Sequence, residues 1–175
     1  ATIEKDVLRR DLTINALFYD IDTEEIVDLV GGVEDIEKSR VRTVGDAEER
    51  FSEDPLRKLR AIRFAGVTGS KLDKAIDKAL KKDNTLSGVS AERIRDEFKK
   101  TIEKAKDTAF VLQLEKKYGF FTIIFPGYNV NTDFVSSNRW ILQLAQLLIN
   151  NDDNLIKRLT KLTYAADEAR DIIFL

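Results

Sequence analysis

The stretch Ser52-Glu53-Asp54-Pro55-Leu56-Arg57, continued by Leu59-Arg60-Ala61-Ile62-Arg63-Phe64-Ala65, restricts the fold more than any other part of the chain. Proline suits the first turn of a helix, where its missing N–H would have no partner anyway. A helix is therefore predicted over 55–66. Asp54 or Ser52 can accept from the N–H groups at its start. Residues three apart share a helix face, which directs Asp54 and Arg57 toward one site. One acceptor beside a fork of donors has the polarity needed to read the edge of a nucleobase. Taken alone, the hexapeptide also reads as an N-cap beside a surface ion pair, an interaction of little energetic weight.

The rest of the chain sorts into a short β-rich start and a long helical remainder. Leu12–Asp22 (LTINALFYDID) leans toward strand, Glu24–Val30 (EEIVDLV) is strand-like, and Asp22-Thr23 between them predicts a hairpin. Gly31-Gly32 ends the second strand. Val33–Ser39 reads as a short helical turn and Arg40–Val44 as a short strand. Helices are predicted over 46–51, 55–66, 71–81, 90–103, 106–118, 133–150, 152–163 and 164–175. Ile141, Leu144, Ala145, Leu148 and Ile149 follow the spacing of a buried helical stripe. Ser90 is the expected cap of the helix that opens at Ala91-Glu92-Arg93.

Composition narrows the chemistry. The 175 residues include no Cys and no His, which removes disulfides, thiolate catalysis and the commonest general base. A cytoplasmic location suits this usage. Any bound metal would need carboxylate oxygens, which favours Mg²⁺. No apolar run approaches the roughly 20 residues of a membrane span. Net charge is −2, but Arg9, Arg10, Arg40, Arg42, Arg57, Arg60, Arg63, Arg93 and Arg95 concentrate cations in the first 95 residues, enough for a polyanion site. Methionine is absent too and the chain starts at Ala1; this is the pattern of a fragment, a processed chain or a sequence with residues dropped.

Four stretches occur in a fixed order: Arg9-Arg10-Asp11 with Leu12-Thr13-Ile14-Asn15-Ala16; Asp28 with Gly31-Gly32; Glu53-Asp54-x-x-Arg57; and Ser90-x-Glu92-Arg93-Ile94-x-x-Glu97. Together, over about residues 1–105, they resemble the class II nucleotidyltransferases, which comprise the tRNA CCA-adding enzymes and bacterial poly(A) polymerases. The resemblance implies an α+β fold. A small β-rich remnant of a nucleotidyltransferase head (1–45) would precede an all-helical neck (46–105) and a helical body that can contact tRNA (106–175).

It also implies roles. Asp54 and Arg57 would act as a protein template for cytosine and adenine, whose amino group and ring nitrogen match a carboxylate and a guanidinium. Arg10 and Asp11 would contact the ribose, and Arg60 and Arg63 the triphosphate. Asp28, Gly31 and Gly32 would form a hinge, or else an ordinary turn. Ser90, Glu92, Arg93 and Glu97 would cap the neck helix and tie it to the nucleotide-reading helix. The implied substrates are CTP and ATP, the partner tRNA and the cofactor Mg²⁺. The family's metal-binding Asp-x-Asp pair precedes the Arg-Arg-Asp motif, and nothing before Arg9 supplies it. Asp20-Ile21-Asp22 follows that motif and reads as a hairpin turn instead. The expectation is thus a chain that selects the nucleotide while its catalytic carboxylates lie upstream, or in a partner chain. Bacterial poly(A) addition, CC-only or A-only addition, and a non-catalytic RNA- or nucleotide-binding module or subunit are the alternatives. In the body, Lys116, Lys117, Arg139, Lys157, Arg158 and Lys161 are candidates for phosphate contacts.

Overall fold

A computed structural model describes residues 2–133, 135–151 and 154–173. The chain opens with a short helix α1 (Ile3–Val7) that its polar sequence does not announce. Strand β1 (Phe18–Asp20) pairs antiparallel with β2 (Glu25–Val27), in the register Phe18↔Val27 and Asp20↔Glu25. The hairpin turns at the predicted place. Asp20 closes it by accepting from the Asp22 and Thr23 N–H groups, at 2.9 and 3.2 Å.

The predicted strand over Leu12–Asp22 is shorter than expected. Thr13–Asn15 forms a turn of 3₁₀ helix instead. Tertiary contacts override the local preference here: the Thr13 hydroxyl donates to buried Asp35 at 2.6 Å, and its N–H donates to the Arg42 carbonyl at 3.0 Å. Asp35 also takes Arg40 and Arg42, so three segments meet on one carboxylate.

Asp28 ties down the start of α2 (Gly32–Glu37), whose N-cap residue is Gly31. One carboxylate oxygen accepts from the N–H groups of Val30, Gly31 and Gly32 and the other from Val33, at 2.9–3.1 Å. Gly31 sits at φ +78°, and a Cβ on Gly32 would fall 2.4 Å from the Thr13 carbonyl oxygen. The structure thus shows these residues as a tightly bonded helix start; the hinge role rests on the resemblance alone.

Strand β3 (Arg40–Val41) is followed by α3 (Ala47–Glu53), capped by Asp46, and α4 (Leu56–Thr68). The predicted helix over 71–81 is corrected at its start. Lys71–Leu72 is a strand, β4, parallel to β3, and helix α5 (Lys74–Lys82) begins only after Asp73 accepts from the Ile76 N–H. A two-residue strand in a polar stretch has no periodicity to reveal it.

Helices α6 (Ala91–Lys104) and α7 (Thr108–Lys117) start at the caps Ser90 and Asp107. The apolar run at 120–125 gives the short α8 (Phe121–Ile124). The predicted helix over 133–150 begins only at Trp140, as α9 (Trp140–Leu148). Residues ahead of it are held off the helical path because their N–H groups donate to side chains of α9: Val135 to Gln146 at 2.9 Å and Ser137 to Gln143 at 2.7 Å. Helices α10 (Leu155–Lys161) and α11 (Ala166–Ile173) follow within the predicted spans 152–163 and 164–175, of which 152–153 and 174–175 lie outside the described residues.

Helix α4 is the axis of the molecule. Leu59, Ala61, Ile62 and Ala65 are fully buried, and α6 and α7 pack along it. Gly66 permits the close approach of α7, since a Cβ there would lie 2.2 Å from the Val111 Cγ1. Phe98 of α6 centres an aromatic cluster, with edge-on contacts to Phe121, Phe125 and Trp140 at 5.5–6.5 Å between centroids.

Glu115 of α7 is completely buried and neither carboxylate oxygen has a hydrogen-bond partner. Burial, with the Glu97 charge added, pushes its carboxyl well above 4.5. Below that value both folded and unfolded chains hold the proton. As pH rises past it, only the unfolded chain releases the proton, so this residue's contribution lowers stability as pH rises. Glu115→Gln keeps the shape without the titration. Its melting temperature relative to the parent is expected to climb between about pH 5 and about pH 8. A constant difference across that range would show that Glu115 titrates normally.

Candidate functional site

The segment after α1, the start of α4 and the first turn of α6 enclose a cleft of about 520 Å³. Sites for small molecules are commonly of this size. It is lined by Arg9, Arg10, Asp11, Asn15, Asp54, Leu56, Arg57, Arg60, Phe64 and Arg93. Five guanidiniums face two carboxylates, so the field suits a polyanion.

Asp11 is the best-defined group. Only 8% exposed, it accepts from Arg60 Nε at 2.7 Å, the Leu12 N–H at 2.9 Å and Asn15 Nδ2 at 3.3 Å. Burial opposes its charge, but Arg60 and the two further donors outweigh it and hold the carboxyl below its usual value. Arg10 lies beside it with its guanidinium on Asp6 at 2.7 Å and over the Phe18 ring.

Asp54 and Arg57 both line the cleft, but not in the manner predicted. Asp54 stands before the helix in extended backbone, at φ −145°, rather than on its face. Its carboxylate accepts from the Leu56 N–H at 3.2 Å and from Arg93 at 3.1 Å. Arg57 donates to Glu53 at 2.6 Å and to the Arg9 carbonyl at 3.3 Å. The acceptor and the donor fork therefore border one space, each oriented by a different neighbour. Ser52 lies inside α3 and caps nothing.

Arg63 is a correction. It was expected at the triphosphate, yet it is turned into the core, where its Nε donates to Glu97 at 2.5 Å. Both side chains are at most one-tenth exposed. Arg60 alone of the two borders the cleft. The four residues of the last motif divide accordingly. Ser90 caps α6, Arg93 reaches Asp54, Glu97 holds Arg63, and Glu92 stays on the exposed first turn.

Asn15, Leu56, Phe64 and Arg9 also line the cleft, without a role expected for them from the sequence. Asn15 could have been found as the residue four after Asp11, and Phe64 as the residue one turn after Arg60. In the body, Lys157 and Lys161 are exposed one turn apart on α10, whereas the Arg158 side chain lies outside the described residues. Lys117 is bonded to Asp77 at 2.7 Å.

The family model described as "Poly A polymerase head domain" matches residues 1–42, and "Probable RNA and SrmB- binding site of polymerase A" matches 71–131. The CCA-adding enzyme of Lactobacillus johnsonii is 37% identical over 162 residues, covering 86% of this chain and 40% of the relative. Poly(A) polymerase I of Salmonella typhi is 30% identical over 157 residues, covering 88% of this chain and 33% of that protein. The crystal structure of the Bacillus stearothermophilus CCA-adding enzyme in complex with CTP superposes with a TM-score of 0.81 at 26% identity, over 97% of this chain and 45% of that one. The chain belongs to the nucleotidyltransferase family that includes the tRNA CCA-adding enzymes and the bacterial poly(A) polymerases. It spans about two fifths or less of the curated relatives described here.

Proposed function

We propose that this chain selects the nucleotide for addition of C and A to the 3′ end of tRNA, with CTP and ATP as substrates. The observation that carries this is the convergence of Asp11, Asp54, Arg57 and Arg60 on one arginine-rimmed cleft. Asp54 would accept from the exocyclic amino group of cytosine or adenine, and Arg57 would donate to the adjacent ring nitrogen. Uracil and guanine present the opposite polarity and would leave both protein groups unpaired. Asp11 would accept from the sugar hydroxyl. Arg10 would contact the ribose beside it, and Arg60 would neutralise phosphate, for which guanidinium forks are suited.

Magnesium does not fit the described residues. Among them no group of three or more acidic side chains converges, and the Asp20 carboxylate is occupied by the hairpin turn. The role supported for this chain is binding and selection. The division into head, neck and body at 45 and 105, a cytoplasmic location, and tRNA phosphate contact through Lys157 and Lys161 belong to the same proposal. No described helix is long and apolar enough to cross a membrane.

Poly(A) addition is the second reading, favoured by the match to the Salmonella typhi enzyme. Calorimetric titration of the chain with CTP, ATP, UTP and GTP separates the two. Binding of CTP and ATP with rejection of UTP and GTP is expected. Binding of ATP alone would favour poly(A) addition, and equal binding of all four would refute a base-reading site.

A further inference from the structure

Phe64 sits on α4 one turn beyond Arg60 and next to Arg63. Its ring meets both guanidiniums: the Arg63 Cζ lies 4.3 Å from the ring centroid and the Arg60 Cζ 5.9 Å. A cation within about 6 Å of the centroid is attracted to the face of an aromatic ring. The two arginines otherwise belong to different environments. Arg63 is fixed in the core by Glu97 at 2.5 Å. Arg60 is about a third exposed in the cleft and bonds Asp11 through Nε at 2.7 Å. Phe64 is itself packed against the core on one side and lines the cleft on the other.

We infer that Phe64 is a positioning residue of the sugar subsite. It braces the Arg60 guanidinium against the fixed Arg63–Glu97 pair and, through Arg60, sets the direction of the Asp11 carboxylate that selects ribose. This rests on the reading of Asp11 as the sugar-binding group. A long, partly exposed arginine has several rotamers, and a single bond to Asp11 leaves the end of its guanidinium able to swing. The ring restricts that swing. Selecting a sugar by one hydroxyl requires an acceptor held in one geometry, because a ligating group is only as well placed as the groups that support it.

The test compares calorimetric affinities of the 175-residue chain for CTP and dCTP in the parent and in Phe64→Leu, Phe64→Tyr and Asp11→Asn. Phe64→Leu is expected to lower the CTP-to-dCTP affinity ratio roughly three- to tenfold, the worth of such a contact, chiefly by weakening CTP. Phe64→Tyr keeps the aromatic face and should keep the parent ratio. A residue that only filled space would weaken both nucleotides alike and leave the ratio unchanged. Phe64→Met serves as a second ring-free variant should Phe64→Leu not fold. An unchanged ratio in a folded ring-free variant, with the ratio lost in Asp11→Asn, overturns the inference and leaves the sugar-binding reading standing. An unchanged ratio in Asp11→Asn overturns both.

Discussion

On the proposed template role, Asp54→Ala and Arg57→Ala are each expected to erase most of the preference for CTP and ATP over UTP and GTP. A wrong base opposite an intact template leaves buried polar groups unpaired, at about 1–3 kcal/mol each. That corresponds to a preference of roughly five- to 150-fold per group. Removing the carboxylate or the guanidinium removes the mismatch along with the match, so the right nucleotides weaken while the wrong ones do not. Asp54 also accepts from Leu56 and Arg93, so its loss could act through the start of α4 instead. Arg93→Ala is the control, since it cuts the tie from α6 and spares both template groups. Because Arg93 also orients the Asp54 carboxylate, its loss should narrow the discrimination part of the way rather than erase it. The measurement is the set of four dissociation constants for each variant. Discrimination at the parent level in both template variants would remove Asp54 and Arg57 from base reading.

A different kind of loss is expected at Arg63. Breaking one partner out of a buried ion pair costs about 3–5 kcal/mol, because the other charge is left unpaired. Here the residue left behind is Glu97, whose charge already acts on the buried Glu115. For a chain of this size each kcal/mol lowers the melting temperature by about 2–4 °C, so Arg63→Ala should melt about 6–20 °C below the parent. Arg63→Met combined with Glu97→Leu removes both charges at similar volume and should recover most of that loss. Arg60→Ala, at a side chain about a third exposed, should move the melting temperature little and act on nucleotide affinity. A melting temperature within about 2 °C of the parent for Arg63→Ala would mean that the pair is not buried in solution.

That contrast also explains what could be read in the linear chain and what could not. The hairpin turn at Asp22-Thr23, the start of α6 at Ser90 and the body of α4 are announced by local chemistry: turn residues, caps and apolar spacing. The motifs that converge on the cleft were legible because they resemble a known series. The misplaced Arg63 follows from helix geometry. Arg57, Arg60 and Arg63 recur every three residues, and three residues turn about 300°. Each step therefore slips about 60° around the helix, and two steps carry the third arginine from the cleft to the core. The late start of α9 was hidden for another reason. The Gln143 and Gln146 side chains draw off the backbone N–H groups of Ser137 and Val135 ahead of it, and such bonds leave no trace in periodicity. Asp54 was misjudged because the proline that opens α4 leaves the preceding residue extended.

The parallel pairing of β3 with β4 bears on the order in which the chain acquires its structure. Arg40 and Val41 meet Lys71 and Leu72 only after the whole of α3 and α4 has been laid down between them. Such a closure confines a long loop for few bonds, whereas the helices inside it rest on local contacts. The cleft needs both: α4 supplies Arg57 and Arg60, and Asp11 arrives with the segment that Arg42 and Thr43, just past β3, hold through the Thr13 N–H and the Leu12–Thr43 bridge. The cleft is therefore complete only when the segment around Asp11 is docked against α4.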